Sequence, residues 1–206
     1  MQFAYPASLT VGGLGLLAGL SLKLYQLSRD RDAARHRATY DGLTGGLSRA
    51  AMEDSLQSAV ASAHGNGVPL SAVFIDVDRF KKINDDFGHA VGDEVLRIVS
   101  LRMRNRLRAD DLCGRFGGDE MVVVFVGAPL AEATKRAEQL RSSITDSPLS
   151  IGGQIIPISL SMGVAQLRPG ESYQDLLKRA DSALYASKEA GRGRVTAHDA
   201  VTGVLL

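Results

Sequence analysis

Short unbroken apolar runs alternate along this chain with longer mixed stretches, and the two patterns read as strands and helices. A helix runs from Arg49 to about Ala63, where His64-Gly65-Asn66-Gly67 breaks it. Leu70-Ser71-Ala72-Val73-Phe74-Ile75 reads as a buried strand that ends in acids at Asp76 and Asp78, which share one face. The next helix, from about Val91 to Leu107, turns Val95, Leu96, Ile98 and Val99 inward. Gly117-Gly118 lies between apolar segments and predicts a β-hairpin, whose tight turn needs angles that glycine reaches without steric cost. The second hairpin strand, Met121 to Val126, reads as buried on both faces. Ala131 to Ile144 is helical with Pro129 near its start, Ile155 to Ala165 a strand, Tyr173 to Ala190 a helix, and Arg194 to Ala197 a short last strand.

That order, β-α-β-β-α-β with additions, predicts an α+β fold: a ferredoxin-like (split βαβ) palm with an added N-terminal helix. A membrane and stalk helix is expected in front of it. Gln2 to Leu22 carries no charge, a length close to the roughly 20 residues that a spanning helix needs. Lys23, Arg29, Arg31, Arg35 and Arg37 all follow, which puts the downstream domain on the cytoplasmic side. Gly15 and Gly19 allow two such helices to approach closely, and Leu17, Leu20, Leu24 and Leu27 follow the seam of a coiled coil. The alternative is a flexible apolar leader or the stump of a longer membrane region. The expected organisation is a transmembrane helix over 1–27, a helical stalk over 28–39, one domain over 40–198 and a tail over 199–206.

Composition narrows the chemistry. The 206 residues are 45% apolar and 23% charged, enough for a sizeable core. A formal net charge of +1 gives no case for bulk binding of nucleic acid. The single cysteine, Cys113, excludes an internal disulfide and reads as a small core residue.

Two apolar strands each end in carboxylates, and that is where chemistry is expected. In Gly117-Gly118-Asp119-Glu120 the acids stand at a ribbon tip where absent side chains let a ligand approach the backbone. If the strands are neighbours, Asp76, Asp119 and Glu120 converge. A cluster of hard oxygen donors that leaves room for water and phosphate suits Mg²⁺, and no Cys or His cluster offers a site to a softer metal.

The segments Asp76-Val77-Asp78-Arg79-Phe80-Lys81-Lys82-Ile83-Asn84-Asp85-Asp86-Phe87-Gly88-His89-Ala90-Val91-Gly92-Asp93 and Arg115-Phe116-Gly117-Gly118-Asp119-Glu120 resemble the GGDEF family of diguanylate cyclases. Tyr40-Asp41-Gly42-Leu43-Thr44-Gly45 and Ala183-Leu184-Tyr185-Ala186-Ser187-Lys188-Glu189-Ala190-Gly191-Arg192 extend the resemblance over roughly residues 38 to 197. It implies condensation of two GTP, held by two subunits of a homodimer, into cyclic di-GMP with loss of pyrophosphate. It implies two Mg²⁺ (or Mn²⁺) per active half-site, with Asp76, the Val77 carbonyl, Asp119 and Glu120 as ligands and Asp119 and Glu120 as the catalytic pair. GTP falls to Asn84 and Asp93 for guanine, and to Lys81, Gly117, Gly118, Lys188 and Arg192 around the phosphates. Arg108-Ala109-Asp110-Asp111 matches the family's R-x-x-D inhibitory product site, with Arg141 as a second arginine. His89, which recurs in the pattern, reads as a packing residue. Together with the uncharged leader and the basic residues after it, the expected localisation is a single pass through the bacterial inner membrane with the catalytic domain in the cytoplasm.

Departures from the pattern are Met121 for phenylalanine, Gly46 and Ser48 for leucine and asparagine, and Gly193 for asparagine. None removes a metal ligand. They leave a second reading, a cyclic di-GMP receptor that has lost turnover through Met121. A third, a nucleotidyl cyclase of other specificity, is opposed by Asn84 and Asp93.

Overall fold

The computed structural model describes residues 39–198 together with Lys23, Tyr25, Gln26 and Arg29. The chain divides into two compact units, Met1–Ala38 and Thr39–Leu206, and the four described residues of the first have helical backbone. The expected spanning helix over 1–27, stalk over 28–39 and tail over 199–206 fall almost wholly outside the described residues. Among the described residues no helix is long and apolar enough to cross a membrane.

Helix α1 (Arg49–Asn66) opens on Ser48, whose side chain accepts from the Ala51 N–H, and closes on Gly67 in the left-handed conformation. Strand β1 (Leu70–Val77) is buried along its whole length. Two helices follow, α2 (Phe80–Phe87) and α3 (His89–Arg104), with Gly88 at φ 86° between them. Sequence patterning predicts only the second. Asn84-Asp85-Asp86 carries turn chemistry, yet Phe80 and Ile83 pack on the core and hold that stretch in a helix. His89, expected to pack, is exposed at the first turn of α3.

The hairpin strands β2 (Leu112–Arg115) and β3 (Glu120–Val126) precede α4 (Leu130–Thr145). The expected strand over 155–165 is broken. Its first part pairs as β5 (Gln154–Ile156) with β4 (Leu149–Ile151), across Gly152 and Gly153 at φ 58° and 81°, the geometry of a tight two-residue turn. Pro157 cannot donate to a ladder, and the chain re-enters the main sheet as β6 (Leu160–Gln166). Helix α5 (Tyr173–Glu189) and β7 (Val195–His198) complete the domain.

The main sheet is ordered β2-β3-β1-β6-β7, with β1 antiparallel to both neighbours and β7 parallel to β6. It is buried on both faces, which explains the unbroken apolar runs. Val73, Ile75, Met121, Val123 and Phe125 face Val95, Leu96 and Val99 of α3 and Ala133, Ala137 and Leu140 of α4. Ala72, Phe74, Val122 and Val124 face Met52 and Leu56 of α1 and Leu176, Ala180 and Leu184 of α5. Gly163 sets the depth of α5: a Cβ there would overlap the backbone of Ala180, Ala183 and Leu184. The Ser187 hydroxyl then donates to the Met162 carbonyl at 2.7 Å, and the last turn of α5 lands over the end of β1.

Candidate active site

The sheet register makes Asp76 and Glu120 direct cross-strand partners, so their side chains emerge on one face, the face that α5 covers. Lys188, one turn beyond Leu184, places its Nζ 2.7 Å from Asp76 Oδ2. Burial pushes the Asp76 carboxyl above the usual carboxylate value, Lys188 pulls it back, and the charges of Asp119 and Asp78 push it up again. Asp119 is half-buried beside this pair. Asp76 and Glu120 therefore converge as expected. Among the described residues, however, no three acidic, His or Cys side chains are gathered closely enough to hold a metal ion. The Asp76 carboxylate takes Lys188 as its cation instead.

The loop from Phe116 to Asp119 joins β2 to β3, and the Phe116 N–H donates to the Glu120 carbonyl at 2.9 Å. Neither Gly117 nor Gly118 lies at positive φ, so the turn does not need glycine for the reason that the sequence pattern suggests. A Cβ on Gly117 would stand 2.5 Å from Glu120 Oε2, so a side chain there would displace the Glu120 carboxylate. A Cβ on Gly118 would meet nothing within 4 Å, which leaves the tip open.

Arg115 holds this tip, a role that sequence reasoning missed. Its Nη2 donates to the Gly118 carbonyl at 2.8 Å and its Nε to the Gly117 carbonyl at 3.2 Å. Nη1 reaches Asp41 Oδ2 at 3.4 Å. Asp41 in turn accepts from the Thr44 N–H and hydroxyl at 2.8 and 2.7 Å. Burial works against the Asp41 carboxylate, but Thr44 and Arg115 outweigh it and hold its pKa below the ordinary value. A basic residue two positions before Gly-Gly, and an acid three before Thr44, were the available signals. Cys113 lies in β2 of the same hairpin, its thiol pushed up to about 11 by burial, as befits an inert core residue.

Asp78 is the second omission. Its carboxylate is buried and accepts from the Ser159 and Ser161 hydroxyls, each at 2.6 Å, and from the Gly193 N–H at 3.1 Å. It thereby ties β1 to the start of β6 and to the loop that carries Arg192 at φ 65°. Asn84 Oδ1 is buried without a hydrogen-bond partner, and Gly92 faces it so closely that a Cβ would overlap it. A buried acceptor left unsatisfied calls for a donor from outside. Asp93 lies one residue beyond Gly92 on α3, exposed, and Lys81 and Arg192 are exposed as well.

Of the residues assigned to product inhibition, Arg108 and Asp111 meet through the Arg108 backbone, while the Arg108 and Arg141 guanidinia each face an acid of α4. Asp111 is buried, held by the Arg136 guanidinium and, at 2.8 Å, by the Arg108 N–H. Arg136 also stacks 4.0 Å from the Phe125 ring centroid. The exposed Arg108 guanidinium stands 3.6 Å from Glu132, and Arg141 pairs with Glu138 at 2.6 Å.

The diguanylate cyclase GGDEF-domain family matches residues 38–194, and the chain belongs to that family. It is 40% identical over 161 residues to the diguanylate cyclase DgcP of Pseudomonas aeruginosa, covering 78% of this chain and 24% of DgcP. It is 42% identical over 172 residues to the response regulator PleD of Caulobacter vibrioides, covering 82% of this chain and 38% of PleD. The chain thus spans well under half the length of these curated relatives. The coiled coil and GGDEF domain of DgcB from Caulobacter crescentus, solved in complex with c-di-GMP, superposes with a TM-score of 0.84 at 33% identity, over 89% of this chain and 97% of that one.

Proposed function

We propose that this chain is a diguanylate cyclase, which condenses two GTP into cyclic di-GMP and releases two pyrophosphates as a homodimer. The observation that carries this reading is the pairing of Asp76 with Glu120 at the end of the sheet, beside the open Gly118 and under Lys188. Family membership and the likeness to DgcB support it. The strand order β2-β3-β1-β6 fits a ferredoxin-like palm, extended by β7.

In each half-reaction a ribose 3′-oxygen forms a bond to an α-phosphorus, the bond from that phosphorus to the β-bridging oxygen breaks, and the hydroxyl proton leaves. Little covalent work falls to the protein, so its contribution is positioning and charge. Asp76, the Val77 carbonyl, Asp119 and Glu120 would hold two Mg²⁺ or Mn²⁺ per half-site. Their donor set fits: burial and the charges of Asp119 and Asp78 raise the Asp76 carboxyl even against Lys188, so this carboxylate has room for further positive charge. When bound, the metal would polarise phosphate oxygens and offset developing charge. Asn84 and Asp93 would read the guanine edge, with the orphan Asn84 Oδ1 accepting a base N–H. Lys81 and Arg192 would meet the triphosphate, joined by Lys188 once it leaves Asp76. Gly117 and Gly118 keep the approach to Asp119 clear, and Asp119 is the group set to receive the hydroxyl proton.

Purified protein incubated with GTP and Mg²⁺ tests this directly. Cyclic di-GMP should accumulate with two pyrophosphates per product molecule, and GTP left intact would contradict the reading. A cyclic di-GMP receptor is the second reading, and Met121 is the residue that favours it. Met121 is fully packed between β1 and β2 in the core, however, which supports a firm hairpin. Product would inhibit through Arg108, Asp111 and Arg141, of which the open geometry favours Arg108. Arg108→Ala should relieve inhibition and weaken cyclic di-GMP binding more than tenfold by calorimetry, without changing the initial rate. The domain would work in the cytoplasm, tethered to the inner membrane by the uncharged segment at 2–22.

A further inference from the structure

Arg79 and Arg192 are the only non-glycine residues at positive φ among the described residues, at 56° and 65°. An arginine is held there only when its surroundings over-determine it. Both line the same cavity, of about 400 Å³, which opens between α2, the link from β5 to β6, and the loop after α5. Ile83, Phe87, Pro157 and Ile158 give it an apolar floor.

The charges around this cavity do not balance. Lys82 is answered by Asp86 at 2.8 Å. Asp78 is satisfied by the two serine hydroxyls and the Gly193 N–H. Neither the Arg79 nor the Arg192 guanidinium has an acceptor for its side-chain donors among the described residues. Two unanswered planar forks over an apolar floor suit a compact group with several negative charges and many oxygens. Arg79 follows Asp78 directly, and Arg192 lies four residues beyond Lys188, so the cavity is lined by the same two chain segments that carry Asp76 and Lys188.

We propose that Arg79 joins Arg192 in a two-arginine clamp for the terminal phosphates of the nucleotide, and that inorganic pyrophosphate is its ligand once the α-phosphorus bond breaks. The resemblance assigns no role to the Arg79 side chain. Its place in the reaction rests on the cyclase reading, but the anion site itself does not. The Asp78 clasp, by fixing the Gly193 N–H, holds the Arg192 wall at its distance from Arg79.

Calorimetric titration of the full chain with pyrophosphate, and separately with GMP, in the presence of Mg²⁺ tests the clamp. Arg79→Gly is the informative variant, because it removes the guanidinium and suits the left-handed backbone. Its pyrophosphate affinity should fall about tenfold or more, the loss expected for a charged hydrogen-bonding partner. GMP affinity and the thermal midpoint should hold or the midpoint rise. Arg79→Lys, which keeps charge and loses the fork, should fall between the two. Unchanged pyrophosphate affinity in Arg79→Gly would overturn the proposal, as would an equal loss for GMP. If the wild type makes no cyclic di-GMP yet loses pyrophosphate affinity on this change, the cyclase reading fails and the clamp stands.

Discussion

Asp76 and Asp111 are both nearly buried carboxylates facing a basic residue on a neighbouring helix, and their surroundings differ in what is left over. Asp111, with 1% of its side chain exposed, receives the Arg136 guanidinium and a backbone N–H. Asp76, with 10% exposed, receives one lysine and feels the charges of two further acids, Asp119 and Asp78. The Asp111 corner is electrostatically complete and the Asp76 end is not. Burial of charge is tolerated when it is answered, so the first corner reads as structure and the second as a site awaiting ligands.

The comparison breaks first at Arg136. Removing one partner of a buried ion pair costs about 3–5 kcal/mol, so Arg136→Ala should show that loss in urea unfolding. An Asp111→Leu, Arg136→Met double variant should recover most of it. If Arg136→Ala unfolds like the wild type, the Asp111 corner is not a structural pair. Gly163→Ala comes next. Its Cβ would overlap the α5 backbone, and overpacking of that kind costs about 1–3 kcal/mol. It should also lift Lys188 from Asp76. Unaltered stability would mean that α5 does not depend on Gly163 for its depth.

The smallest effect concerns the Asp41 carboxylate, whose pKa lies below the ordinary 3.8. A depressed carboxylate contributes stability that is fully present above the unfolded value and is lost as pH falls through the folded one. Asp41→Asn should therefore melt below the wild type at neutral pH, and the gap should close as pH drops below 3.8. A gap that is constant across this window would remove Arg115 and Asp41 from the support of the hairpin.

Much of this was legible in the chain. The apolar run of β1, the acids that end it, the hairpin and helices α4 and α5 follow from period and turn chemistry. Gly117-Gly118 was right in position and wrong in reason, because neither glycine lies at positive φ and a glycine beside a movable carboxylate looks the same in sequence as one needed for φ. Helix α2 was missed because its Asn-Asp-Asp stretch favours a turn until Phe80 and Ile83 find the core. The break at Pro157 was available and overlooked. The pair of Asp111 with Arg136, and the Asp78 clasp across more than eighty residues, leave no local pattern at all. Only tertiary packing brings them together.

The central claim is that the incomplete end does the chemistry and the complete corner does not. Rates of cyclic di-GMP formation by Asp119→Asn and Asp111→Asn, measured side by side from GTP and Mg²⁺ at a temperature where both are folded, test it most directly. Asp119→Asn keeps shape and loses charge at the proposed metal site, so its synthesis should fall to background while Asp111→Asn keeps an initial rate close to wild type. Near-normal synthesis by Asp119→Asn, with the loss falling on Asp111→Asn, would contradict the account.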